Sequence, residues 1–352
     1  MQKHPPFLSY KFVQRWHLPT IIGMTLIVIL VYSAFIKTRA DAIVKLIIYA
    51  YSTQEEVLNL GIAPAFKKAW KAETGQEVDI EMVFGPSSTM AGHILLGAPA
   101  DLAIFSSESH VNLLKHGNLL RSDNVPAYLA RTPIVIVTRP GNPLAITSFP
   151  DLAGPGIKLL HADPRISGAG EWSVLAEYGS SDTLSGDGQA AADQLKDIWD
   201  NVCMMGDSAR STLALFTLGV GDAMITYEEH ALIGIRKGLP IEVVMPERTI
   251  IAQHLVVLVD DNVSMSERPA AEALLQFIRG ETGQKIYQEF YWRSAIQSKG
   301  CPGSAKYFTV RDLGGWENAK RKLIDKLWGS EIYPQLSLKE EPALDEFRGI
   351  NE

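Results

Sequence analysis

Only two of the 352 residues are cysteine, Cys203 and Cys301, and they stand far apart in the chain. A disulfide-stapled scaffold is therefore excluded. No Cys or His cluster has the spacing of metal ligands, so no metal site is expected. Also missing are a Walker-type phosphate loop, a nicotinamide-binding glycine fingerprint and a Gly-x-Ser-x-Gly nucleophile elbow. Those absences argue against an NTPase, a dehydrogenase and a hydrolase, and no cofactor is expected. Positive charge is in the minority: 33 Lys and Arg face 40 Asp and Glu, a net charge of −7. That balance argues against nucleic acid as the main partner. What is present, 46% hydrophobic and 21% charged residues, is the composition of a folded protein, and the length suits two lobes.

One long apolar run stands out. Leu18 to Ile36 carries no charge, and Lys3, Lys11 and Arg15 precede it. A positive start, an apolar stretch and then Ala40-Asp41-Ala42 read as an export signal with a cleavage site before Ile43. Residues 18–36 are also nearly long enough to remain as a membrane anchor. Residues 1–42 thus form a signal peptide or anchor, and the rest faces the outer side of the membrane, in a periplasm or on the membrane's outer face. Residues 1–42 hold five basic residues and one acid, so the exported part stands at −11. An oxidising compartment permits a Cys203–Cys301 bridge, and two separate thiols remain equally open.

Apolar runs of strand length alternate with helical periodicity through this exported part. Strands are expected at Lys45–Tyr51, Val78–Phe84, Asp101–Phe105, Pro133–Thr138 and His254–Val259. Helices are expected at Thr53–Trp70, Thr89–Leu96, His110–His116, Pro269–Arg279 and Gln284–Phe290. A second strand-and-helix block runs from Ile157 to Val244, with a polar loop from Ser180 to Gln189. The alternation specifies an α/β fold with a mainly parallel sheet. His110 and His116 read as surface helix residues. The tail after Gly329 reads as a peripheral extension.

Chemistry is concentrated where strands stop and helices start. Ser52-Thr53, Ser87-Ser88-Thr89, Ser167-Gly168-Ala169-Gly170 and the turn from Asp207 to Thr212 each place hydroxyls or free amides at a helix N-terminus. Such a terminus presents N–H groups at the positive end of the helix dipole, ready for an anion. Ser, Thr and Asp are also ordinary helix caps, so one such turn alone says little. Four turns, two in each block, point to a shared anion site beyond the carboxyl ends of the strands.

With those residues in view, the chain resembles the type II periplasmic binding proteins for tetrahedral oxyanions, the soluble component of ATP-binding-cassette (ABC) importers. Ile48-Tyr49-Ala50-Tyr51-Ser52, Phe84-Gly85-Pro86-Ser87-Ser88-Thr89-Met90 and Gly97-Ala98-Pro99-Ala100-Asp101-Leu102 resemble the molybdate-binding branch. Arg139-Pro140-Gly141-Asn142-Pro143, the stretch from Asp163 to Trp172, and Ala209-Arg210-Ser211-Thr212 resemble the sulfate-binding branch. So do Gly219-Val220-Gly221-Asp222, Phe308-Thr309-Val310 and Gly314-Gly315-Trp316, which extends the resemblance from about Leu46 to Trp316.

The resemblance implies an anion buried among neutral donors: Ser52, Thr53, Ser87, Ser88, Ser167, Gly168, Ala169, Ala209 and Tyr227. A set of donors without acceptors suits a fully deprotonated dianion and rejects hydrogen phosphate, whose proton needs an acceptor. Arg165 and Arg210 are expected behind the site, holding loops through acids such as Asp163 or Asp207. Trp172 is expected to pack in the core. Glu228, Glu229 and His230 are expected in solvent, with no metal role.

The same resemblance implies a two-lobe architecture with paired hinge crossings near Ile134 and Val256. Lobe one is expected at residues 43–132 plus 252–352, and lobe two at 133–251. Sulfate or thiosulfate is the favoured ion, because the longer block of resemblance is to the sulfate branch; Tyr227 and the first turn keep molybdate or tungstate as the alternative. The expected partner is a transporter's membrane permease, and the protein is expected to act as a monomer. A membrane-tethered oxyanion sensor is a further alternative.

Overall fold

The computed structural model describes residues 23–25, 43–123, 125–181, 188–295 and 305–336. The chain opens with β1 (Val44–Tyr51), whose inward residues Val44, Leu46 and Ile48 alternate with more exposed ones. After a short turn at Ser52–Gln54 the chain becomes helical, ending in α1 (Ala63–Thr74). Gly75 stops this helix in the left-handed conformation, φ 74°, with its amide returned to the Lys71 carbonyl. Next come β2 (Val78–Gly85), α2 (Ser87–Leu95), β3 (Leu102–Phe105) and α3 (Glu108–His116). β2, β1 and β3 lie parallel and side by side.

The second unit repeats this plan. It contains β5 (Leu159–Ala162), α4 (Gly168–Ser180), α5 (Gly188–Asp200), β6 (Val202–Gly206), α6 (Ala209–Thr217), β7 (Ala223–Tyr227), α7 (Glu228–Arg236) and β8 (Glu242–Val244). β6, β5 and β7 are again parallel. Helices α8 (Arg268–Arg279) and α9 (Glu281–Glu289) then return to the first unit, packing against β4 (Ala127–Thr138), β9 (Arg248–Leu258) and α1.

Two long strands join the units. β4 (Ala127–Thr138) pairs antiparallel with β9 (Arg248–Leu258) up to Pro133, and from Ile134 onward it pairs with β7. β9 pairs with β10 (Lys306–Phe308) through Arg248–Ile250, then with β4, and finally with β3 through Leu255–Leu258. The result is the sheet order β2-β1-β3-β9-β4-β7-β5-β6, a two-lobe α/β architecture with paired crossings between the lobes. The sequence places the start of this crossing strand at Pro133. Here Pro133 lies where β4 changes partner, and the strand starts six residues earlier.

The tail is helical from Gly315 to Asn318 and continues as a wider π-type helix over Ala319–Ile332. It packs on α4 and α5 through Trp316 against Trp172 and Trp328 against Trp199, with ring centroids 4.8 and 5.0 Å apart. Among the described residues no helix is long and apolar enough to cross a membrane. The Leu18–Ile36 segment, apart from 23–25, lies outside them, as do Cys301 and residues 182–187 of the expected loop.

Candidate functional site

The ends of β1, β2, β3, β5, β6 and β7 face one another across the cleft between the lobes. Ser52, directly after β1, is nearly buried, and its carbonyl accepts from Arg210 Nε at 3.2 Å and Nη2 at 3.0 Å. Arg210 lies in the first turn of α6, beside Ala209, so this contact draws the turns of Ser52 and Ala209 together across the cleft. As the first residue of α6, Ala209 has a backbone amide without an intrahelical acceptor. Ser208 and Ser211 form a capping box at the same helix start.

Ser87 heads α2 and is 1% exposed. Its Oγ lies 3.0 Å from Ser106 Oγ and accepts the Ser106 amide at 3.3 Å. Ser167 caps α4, its Oγ accepting the Ala169 amide at 3.2 Å. Gly168 faces Ser106 so closely that a Cβ there would overlap the serine hydroxyl. Tyr227, the last residue of β7, is fully buried, and its hydroxyl has no partner in hydrogen-bonding geometry. Burial raises its pKa well above the usual phenol value, against a lowering influence from the nearby Ser106 side chain. Tyr227 is therefore a neutral donor at any physiological pH.

The two remaining hydroxyls of the expected set are directed elsewhere. Thr53 Oγ1 donates to Glu229 at 3.3 Å. Ser88 Oγ lies 3.0 Å from His110 Nε2, while the Ser88 amide donates to the Ile166 carbonyl in the other lobe at 3.1 Å.

The basic groups beside these turns pair with acids. Arg165 holds its own turn through Asp163, with Nη2–Oδ2 at 2.5 Å, as the sequence suggested. Arg210 does not pair with Asp207: it reaches Glu56 at 2.6 Å, and Lys237 pairs with the same carboxylate. Burial works to raise the Glu56 pKa, but the hydrogen bonds from Arg210 and Lys237 prevail and hold it at about 2.

Three surface assignments are corrected. His110 is 2% exposed and bridges Ser88 and Ser107, because the polar turn after β3 folds over it. Glu229 is completely buried and accepts from Thr132 on β4 at 2.6 Å, and burial lifts its pKa to about 8. His230 is buried beside it, its Nδ1 3.1 Å from Thr226 Oγ1.

Two further residues complete the closure and were not singled out from the sequence. Glu171, in the first turn of α4, accepts from Ser107 at 2.7 Å and Ser109 at 2.9 Å in the other lobe, and pairs with Lys320 of the terminal helix at 3.2 Å. Ser106 stands between Ser87 and Gly168. The signal for Ser106 was available, since Ser106-Ser107-Glu108 follows β3 as the other serine turns follow their strands.

A family model described as bacterial extracellular solute-binding protein matches residues 46–293. A sulfate-binding protein of Synechococcus elongatus is 29% identical over 285 residues, 77% of this chain and 81% of that protein. A thiosulfate-binding protein of Pseudomonas aeruginosa is 30% identical over 291 residues, 77% of this chain and 86% of that protein. Among solved structures, the sulfate-binding protein SubI of Mycobacterium tuberculosis superimposes with a TM-score of 0.73 at 27% identity, covering 80% of this chain and all of that one. The crossings, the serine-tipped strands and the matched span agree: this chain belongs to the bacterial extracellular solute-binding proteins.

Proposed function

We propose that this protein captures a tetrahedral oxyanion, sulfate or thiosulfate, outside the cytoplasmic membrane and delivers it to the permease of an ABC-type importer. The observation that carries the reading is the Tyr227 hydroxyl, fully buried and without a well-formed hydrogen bond, beside the Ser106 hydroxyl that also meets Ser87 at the start of α2. Leaving such a donor unpaired is costly, and an anion oxygen satisfies it. The relatives named for sulfate and thiosulfate align over most of the chain and support the choice of ion.

In this reading Ser52, Ser87, Ser167, Gly168, Ala169, Ala209 and Tyr227 surround the ion. Thr53 and Ser88 belong to the same turns and tie them to Glu229 and His110. Lobe one is taken as 43–132 with 252–352 and lobe two as 133–251; the terminal helix, although it follows lobe one in sequence, rests on α4 and α5. Closure bends the chain at β4 and β9 around the ion. The protein acts as a monomer, without cofactor or reaction, and residues 18–36 either direct its export or hold it at the membrane. Molybdate or tungstate is the second reading, favoured by the tyrosine at position 227.

Titration calorimetry of the purified protein with sulfate, thiosulfate, molybdate, tungstate and phosphate tests this. Sulfate or thiosulfate is expected to bind and phosphate to be silent. Molybdate binding with silent sulfate would transfer the assignment to the second reading, and silence towards all five would remove both. Ser87→Ala and Tyr227→Phe should each weaken binding by about 1.5–3 kcal/mol, the worth of one hydrogen bond to a charged group.

A further inference from the structure

We propose that Ser106 donates its hydroxyl directly to the bound oxyanion, making the turn after β3 a sixth contributor to the pocket; this rests on the oxyanion reading of the cleft given above. Ser106 lies at the carboxyl end of β3, which is hydrogen-bonded to β1 on one side and to the crossing strand β9 on the other. It therefore occupies the same edge of the sheet as Ser52, where ligands of open α/β sheets bind.

A hydrogen inventory separates Ser106 from an ordinary buried serine. Ser87, Ser106 and Tyr227 bring three hydroxyl hydrogens into a region sealed from solvent. One of them is spent in the Ser87–Ser106 contact at 3.0 Å. The Ser106 amide adds a further donor, aimed at Ser87 Oγ. The Ser106 carbonyl is occupied, accepting the Trp172 indole N–H at 2.7 Å. Even with Ser106 turned to the Tyr227 oxygen, at least one hydroxyl hydrogen is left without an acceptor. The last hydrogen of this hydroxyl chain needs an acceptor from outside it, and an anion oxygen supplies one.

Gly168 adds an independent steric observation. Any side chain larger than hydrogen there would collide with Ser106 Oγ. The start of α4, with its free amides, thus closes directly onto this hydroxyl. Ser106 is the hydroxyl of lobe one that meets Gly168, the first residue of that helix.

Calorimetry with sulfate and thiosulfate on the wild type, Ser106→Ala, Ser87→Ala and the double variant decides the question, with Tm measured for each. Ser106→Ala retains the Cβ, the backbone amide and the carbonyl that meets Trp172. We expect it to bind roughly 10- to 100-fold more weakly at nearly unchanged Tm, and the double variant to bind more weakly than Ser87→Ala. Wild-type affinity in Ser106→Ala, or a double variant equal to Ser87→Ala, would overturn direct donation while leaving the oxyanion reading intact. A wild type silent towards every ion would instead sink that reading. Should Ser106→Ala fail to fold, Ser106→Cys, similar in shape but a weak donor, gives the same comparison.

Discussion

The indole N–H of Trp172 donates to the carbonyl of Ser106 over 2.7 Å, a bond that runs from α4 in one lobe to the turn after β3 in the other. Trp172 is fully buried and also meets Trp316 edge to face. Its expected role as a core residue is therefore only part of its function, because its polar end fastens the cleft. Trp172→Phe keeps most of the packing and leaves the Ser106 carbonyl without this partner, at a cost of about 1–3 kcal/mol in the closed form. Sulfate affinity should fall roughly 10-fold, and the decrease in radius of gyration on adding sulfate, read by small-angle scattering, should be smaller at a fixed sulfate concentration. Unchanged affinity would mean that this bond does not couple the lobes.

The terminal helix supports a stability prediction. Trp328 is 2% exposed, with its ring 5.0 Å from Trp199 and 5.2 Å from Tyr333. Trp199 in turn donates to Glu177 at 2.8 Å and stacks on His161, so Trp328 covers a polar cluster at the heart of lobe two. Trp328→Ala opens a cavity beside that cluster and should cost about 3–5 kcal/mol. Thermal unfolding followed by circular dichroism checks this, with Tm expected to fall by about 5–10 °C. A loss under ~1 kcal/mol would return the helix to the peripheral status that its sequence position suggested.

The sequence made some of these features legible and concealed others for identifiable reasons. Ser87 and Ser167 are visible because each sits where an apolar strand gives way to a helix start, a local pattern, whereas Tyr227 is reached only through the family resemblance. Ser106 carries the same pattern, but the helical periodicity after β3 is clear only from His110. The helix starts at Glu108, so the two serines fall into an unassigned turn. The Arg210–Glu56 pair spans 154 positions, and a single sequence points instead to the nearby Asp207. Burial of Glu229 and His110 is likewise a tertiary outcome, produced when Thr53, Thr132, Ser88 and Ser107 from distant turns converge on them.

Glu56 and Glu229, both carboxylates at the cleft, should give opposite pH dependences. Glu56, held near pKa 2 by Arg210 and Lys237 despite its burial, binds its proton more weakly in the folded protein than in the unfolded chain. Its contribution is complete above about pH 4.5 and drains away as pH falls towards 2. Because Arg210 and Lys237 are 34% and 52% exposed, that contribution is about 1 kcal/mol. Glu229, lifted to about 8 by burial against the Thr132 hydrogen bond, binds its proton more tightly when folded. Stability is therefore lost as pH rises from about 4.5 to 8 and is flat beyond, a change on the order of 2–4 kcal/mol. Glu229→Gln stays neutral and keeps an acceptor for Thr132. Its Tm should match the wild type near pH 5 and exceed it increasingly up to pH 8. Glu56→Gln should instead lie below the wild type at pH 7 and converge with it towards pH 2. A Glu229→Gln difference that stays constant from pH 5 to 9 would show that Glu229 does not change protonation across that range.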